Sequence, residues 1–176
     1  MVRMNTPQAL IGSAAPQFSI AFNGSVYSLS SIAGSSGTLV MFICNHCPYV
    51  KEIITNLVED VKLMQANGIG VIAIMPNDFI AYPEDSPEKM IEFARSNNFS
   101  FPYVPDVNQE VARKYDAVCT PDFFGFNDKL ELQYRGQFMD KETGTRDLFN
   151  AMIEIAKTGK SSAPQKPSIG CSIKWK

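Results

Sequence analysis

Cys44-Asn45-His46-Cys47 sets two thiols two residues apart, a spacing that can close a small disulfide ring. Pro48 follows directly, and proline is favoured in the first turn of a helix. A helix opening here would surround the first sulfur with unpaired backbone N–H groups, which favour its thiolate. Thiols in such motifs ionise at about 3.5 to 7 rather than about 8.5. Cys44 is therefore expected to be the nucleophile, and Cys47, one turn further in, the more buried resolving thiol. His46 is the sole histidine of the chain. As an imidazolium it would stabilise a thiolate and make the disulfide more oxidising; as a solvated loop residue it would tune nothing.

Two cysteines at this spacing are also half of a zinc site. The other two, Cys119 and Cys171, stand singly and far apart, so zinc-ribbon spacing is missing and neither a metal nor another cofactor is expected. Cys119 lies beside apolar residues, which suits an inert core thiol, with a third redox thiol as the alternative. Cys171 reads as a passive cysteine on a tail, with a resolving thiol or a metal ligand as the alternatives.

The elements that must hold the pair follow from hydrophobic periodicity. Leu39 to Ile43 is a continuous apolar run, the pattern of a strand buried on both faces. After Pro48, Val50, Ile53, Ile54, Leu57, Val58, Val61 and Met64 fall at helical spacing, and Gly68 follows Asn67 where a left-handed cap belongs. Val71 to Met75 is a second buried run, so strand, helix and strand form a parallel crossover. Val26, Tyr27 and Leu29 suggest a short earlier strand. Ser86, Pro87 and Glu88 open another helix, and Asp106 with Gln109 resembles a capping box for a short one. Phe123 to Phe126 and Leu130, Leu132 and Tyr134 flank Asn127-Asp128-Lys129, predicting an antiparallel hairpin. Thr145 is expected to cap a last helix that ends at Gly159. The prediction is a single α/β domain over 1–176, with 161–176 as an irregular C-terminal tail.

Composition narrows the class. With 176 residues, 45% of them hydrophobic, the chain can bury one sizeable core. A formal charge of −2 without a basic block argues against a nucleic-acid partner. No run approaches the roughly 20 apolar residues of a membrane span, and the opening residues lack the apolar core of a secretory signal. A soluble protein in the reducing cytoplasm is the expectation, where a close cysteine pair points to catalysis or metal binding.

Gly12-Ser13-Ala14-Ala15-Pro16-Gln17-Phe18, Tyr27-Ser28-Leu29 and Cys44-Asn45-His46-Cys47-Pro48-Tyr49-Val50 together resemble the thioredoxin-like alkyl hydroperoxide reductase/thiol-specific antioxidant (AhpC/TSA, or redoxin) family. Val118-Cys119-Thr120-Pro121-Asp122-Phe123-Phe124 is similar to the family segment that carries an active-site cis-proline. Pro167 to Lys176 is similar to a tail of one uncharacterised bacterial branch. The resemblance implies a central mixed sheet flanked by helices, an N-terminal extension, and Thr120-Pro121 facing the dithiol as a substrate-binding element. Thr120 would offer its backbone to an extended peptide.

Two departures bear on activity. Where a peroxidase of the family carries threonine and proline ahead of its reactive cysteine, this chain has Met41 and Gly37. Where thioredoxin has a tryptophan and a buried aspartate, it has Ile43 and Thr38. Glu52 could accept the proton of Cys47, but amphipathic patterning favours a solvated Glu52. The leading expectation is a thiol-disulfide oxidoreductase acting on a protein or small-molecule disulfide, with an unknown thiol electron donor. A thiol-dependent antioxidant peroxidase is the first alternative. A redoxin-fold metal carrier using Cys44, Cys47 and His46 is the second.

Overall fold

The computed structural model describes residues 2–176. Its centre is explained by strand alternation. All six residues of β4 (Gly37–Phe42) are buried, and successive strand side chains point to opposite faces. Leu39 and Met41 accordingly enter one apolar cluster, and Val40 and Phe42 the other. A strand of this kind needs both edges paired. β5 (Ile69–Met75) runs parallel along one edge and β8 (Asp122–Phe126) antiparallel along the other. With β6 (Tyr103–Pro105) beside β5 and β9 (Leu132–Tyr134) beside β8, the sheet is mixed and ordered β6-β5-β4-β8-β9.

Helices cover both faces. α2 (Pro48–Ala66) buries Val50, Ile54, Leu57, Val58, Val61 and Met64, each such apolar side chain contributing roughly 1.5–3 kcal/mol when fully buried. Its C-cap is Asn67, and Gly68 takes φ +80°, as the sequence pattern predicts. α5 (Asp147–Thr158) lies on the same face through Leu148, Ala151, Met152 and Ile155, and α3 (Pro87–Ser96) adds Met90. The opposite face is closed by Leu29 of α1 (Leu29–Ile32), by Val111 and Ala112 of α4 (Glu110–Lys114), and by the hairpin of β2 (Ser19–Phe22) and β3 (Ser25–Ser28).

Helix starts depart from the sequence reading in two places. α3 begins as predicted, with Ser86 accepting from the Lys89 N–H. α4 does not use a capping box: Gln109 is the N-cap in a left-handed conformation, and Asp106 reaches past it to accept from the Ala112 N–H at 2.8 Å. For α5 the N-cap is Arg146 rather than Thr145, whose hydroxyl pairs with Thr143 instead.

The largest correction concerns the chain ends. The segment read as an irregular tail contains β10 (Ile169–Ser172), which lies between β1 (Arg3–Asn5) and β7 (Cys119–Thr120) in a second, antiparallel sheet. Such a strand escapes periodicity because it is four residues long and contains Gly170 and two serine-flanked positions. Gly170 is required by the pairing, since a Cβ there would stand 2.2 Å from the Thr120 carbonyl oxygen.

Candidate active site

Cys44 lies just past the end of β4 and Cys47 is the N-cap of α2, with Pro48 at the first helical position. Helix geometry thus places the second sulfur, not the first, nearest the free N–H groups of the opening turn. Both cysteines are buried, at 1% and 0% exposure. The Cys44 Sγ is 3.3 Å from the Thr120 Oγ1, and the Cys47 Sγ lies 3.1 Å from the Thr120 carbonyl oxygen. The Thr120–Pro121 peptide bond is cis.

Charge orders the two thiols opposite to expectation. Cys47 is pulled down to about 5, first by the thiol of Cys44 donating to it and then by Cys171 and the Val50 N–H, against the cost of burial. Cys44 is pushed well above an ordinary thiol by that same donation, by burial and by the negative charge of Asp85. Both directions run against the expectation of a low-pKa Cys44: the neighbours of Cys47 favour its thiolate, while burial and Asp85 oppose that of Cys44.

Asp85 is the residue that sequence reasoning missed. It is fully buried, in the 3-10 turn Pro83–Asp85. Its carboxylate accepts from the Asn45 backbone N–H and from the Asn77 side chain, both at 2.8 Å. His46 Nδ1 approaches at 2.7 Å, outside hydrogen-bond direction, so the contact is one of charge when the ring is protonated. His46 is 19% exposed and stacks on Tyr82, so it is neither free in solvent nor in the core. Asn45 also accepts from the Tyr103 hydroxyl at 2.9 Å and donates to the Glu84 carbonyl. Nothing in the periodicity marks Asp85; the only signal was an acidic residue just before a helix cap, a position that is ordinarily solvated.

The remaining sequence-predicted residues fall as follows. Cys119 is buried on β7, donates to the Pro121 carbonyl at 3.6 Å, and is pushed up by burial, the surroundings of a core thiol. Cys171 is no tail residue: it is buried on β10, with its Sγ 3.0 Å from that of Cys47. Thr120 is buried as well, and β10 already occupies the edge where the resemblance would lay a substrate peptide. Pro121 remains on a groove of about 670 Å³ with Tyr49, Ile53, Phe138 and Met139 among its walls. Glu52 is exposed and pairs with Lys141 at 2.8 Å, as patterning favoured. Cys44, His46 and Asp85 bring one ligand atom each within 4.8 Å of one another, the set among the described residues that could hold a metal ion.

The AhpC/TSA family model matches residues 11–145, most of the chain. The chain belongs to the AhpC/TSA family. Solved structures agree with it over most or all of its length. An uncharacterised conserved protein of Geobacillus kaustophilus is 39% identical with a TM-score of 0.93, covering 100% of this chain and 97% of its own. A hypothetical protein of Sinorhizobium meliloti is 34% identical with a TM-score of 0.92, covering 98% of each. A thiol:disulfide interchange protein of the thioredoxin family from Chlorobium tepidum shares the fold at 16% identity and a TM-score of 0.65, over 85% of this chain and 99% of that one. No curated protein matches. The redoxin has a thioredoxin-like fold, and no helix among its described residues is long and apolar enough to cross a membrane.

The lowering of Cys47 in this redoxin has a spectroscopic consequence. Thiolate absorbance at 240 nm should persist as pH falls and disappear with a midpoint near 5, where Cys47 is protonated. The second ionisation, on Cys44, should appear only in strong alkali. Asp85→Asn should bring that second step to lower pH, because it removes a negative charge opposing the Cys44 thiolate. A second step that does not move would show that Asp85 has no hold on Cys44.

Proposed function

We propose that the protein is a thiol-disulfide oxidoreductase in which Cys44 is the nucleophile and Cys47 the resolving thiol. The observation that carries this reading is the placement of the two sulfurs, one just past the end of the central strand and one capping the helix, both against Thr120 of the cis Thr120–Pro121 element. As the Cys44 sulfur attacks a substrate disulfide, its proton passes to the Cys47 thiolate. The Cys44–substrate bond forms, and the first substrate sulfur leaves as a thiolate that is then protonated. Cys47 next attacks the Cys44 sulfur and gives up its proton to the second departing substrate sulfur. The substrate gains two electrons, the protein holds a Cys44–Cys47 disulfide, and a thiol electron donor completes the cycle.

Because both sulfurs are buried, a protein disulfide gains access only when the cover over them shifts. The groove beside Pro121 offers such a substrate an apolar wall, and Arg3 and Lys166 offer it charge. The likeness in fold to a thiol:disulfide interchange protein supports the same reading. The cytoplasm is the setting we assign, since it keeps such thiols reduced. A second reading, a thiol peroxidase, is favoured by the burial itself, which admits a small peroxide more easily than a polypeptide. Met41 in place of the family's threonine weighs against it.

Two assays separate these readings. The reduced protein should accelerate reduction of insulin disulfides by dithiothreitol, while stopped-flow mixing with hydrogen peroxide should give only sluggish thiol oxidation. Fast peroxide oxidation with no disulfide reduction would overturn the oxidoreductase reading.

A further inference from the structure

β10 holds Cys171 in place from several directions. Cys171 pairs with Thr120 on one side and with Arg3 on the other. Ahead of it, the Ser168 hydroxyl donates to the Pro121 carbonyl at 2.9 Å, and the Ser168 N–H donates to the Thr6 Oγ1 at 2.9 Å. Beyond it, the Lys174 N–H donates to Asn77 at 2.9 Å and the Gln109 side chain donates to the Lys174 carbonyl at 2.8 Å. Asn77 is the same residue that donates to Asp85 beside Cys44. Gly170 lets the strand approach Thr120 more closely than any side chain would allow. The outcome is that the edge next to the cis-proline, a place for an extended thiol-bearing substrate, is filled by the chain's own thiol-bearing strand, with the two sulfurs 3.0 Å apart.

From this placement we propose that Cys171 is a third redox thiol, which exchanges with the Cys44–Cys47 disulfide to form a Cys47–Cys171 disulfide. The inference rests on the dithiol chemistry proposed above. In the step, the Cys171 thiol gives up its proton and its sulfur attacks the Cys47 sulfur. The Cys47–Cys171 bond forms, the Cys44–Cys47 bond breaks, and Cys44 leaves as the thiolate that takes the proton. No electrons enter or leave, so no external oxidant is needed. The protein stays oxidised by two electrons while Cys44 returns to the thiol form, and β10 becomes covalently fixed over Thr120.

The test exploits the tryptic map, in which Cys44 and Cys47 share peptide 4–51, Cys171 lies in 161–174 and Cys119 in 115–129. Cys44→Ser protein is oxidised with diamide, blocked with N-ethylmaleimide in acid and digested. The expected result is a covalent 4–51/161–174 species with 115–129 unlinked. Wild-type protein, mapped in parallel across a glutathione titration, should show the same species with fragment ions placing the bond at Cys47, alongside the Cys44–Cys47 ring; this arm stands even if Cys44→Ser fails to fold. If wild type forms the Cys44–Cys47 ring and neither protein forms the cross-link, the Cys171 proposal is overturned and the dithiol reading survives. If wild type forms no Cys44–Cys47 ring at any potential, the dithiol reading falls and takes the exchange step with it.

Discussion

Cys44→Ser should lower the rate of catalysed disulfide reduction at least about 10³-fold, because a serine hydroxyl cannot attack sulfur and the first attack falls to Cys44. Cys119 and Cys171 are both buried. The thiol of Cys171 is pushed up to about 12, by burial first and then by the neighbouring Cys47. Cys47→Ser differs in kind: Cys44 can still attack, but the mixed disulfide has lost its resolving partner and should accumulate. The two substitutions are thus told apart by mass spectrometry of the protein after one turnover, with a substrate adduct on Cys47→Ser and none on Cys44→Ser. Equal residual activity in both variants would show that neither sulfur has the role assigned to it.

Arg135→Ala should destabilise the fold by about 3–5 kcal/mol, the usual cost of stranding one partner of a buried ion pair. Asp122 is fully buried at the residue after Pro121, and Arg135 meets both its oxygens, at 3.2 and 2.8 Å. The guanidinium also donates to the Asp116 carbonyl and lies over the Phe124 ring at 4.4 Å. Burial pushes the Asp122 carboxyl up, and Arg135 is what opposes it. Removing the cation lets the folded-state pKa rise further above its unfolded value. The folded state then binds more protons than the unfolded one, so stability should fall as pH rises above about 4, the reverse of an ordinary surface carboxylate. Chemical denaturation of the variant at several pH values measures both the loss and its slope. A loss below about 1 kcal/mol would mean that the pair is not the anchor of this end of β8.

The parts of this fold that sequence could reveal are those written in strong periodicity. Leu39 to Ile43 and Val71 to Met75 announce strands because every side chain is buried, and α2 announces itself through a stripe that ends at Asn67 and Gly68. The hairpin around Asn127 was legible because a turn residue there must satisfy several backbone groups, and the Asn127 side chain does accept from the Lys129 and Glu131 N–H groups. β10 was not legible, since a four-residue strand with a glycine has no period to read and its partners, β1 and β7, are both remote from it in sequence.

The same contrast holds at the site. The two thiols and the cis-proline segment are local motifs, and motifs survive in one dimension. Asp85 does not, because its meaning comes from burial against Asn45, Asn77 and His46, which only the folded chain brings about. The environments of Cys44 and Cys47 differ from the sequence expectation for a related reason. The helix cap falls on Cys47, and the charge beside Cys44 belongs to a residue about forty positions later.

The dithiol chemistry of Cys44 and Cys47 is tested by a glutathione redox titration of the wild-type protein, with the disulfide state of peptide 4–51 read by mass spectrometry at each potential. One reversible two-electron transition is expected, about 30 mV per tenfold change in the ratio of oxidised to reduced protein, in which that peptide loses two hydrogens as Cys44 and Cys47 join. A peptide that keeps both thiols free, or only picks up glutathione, across the whole range would contradict it.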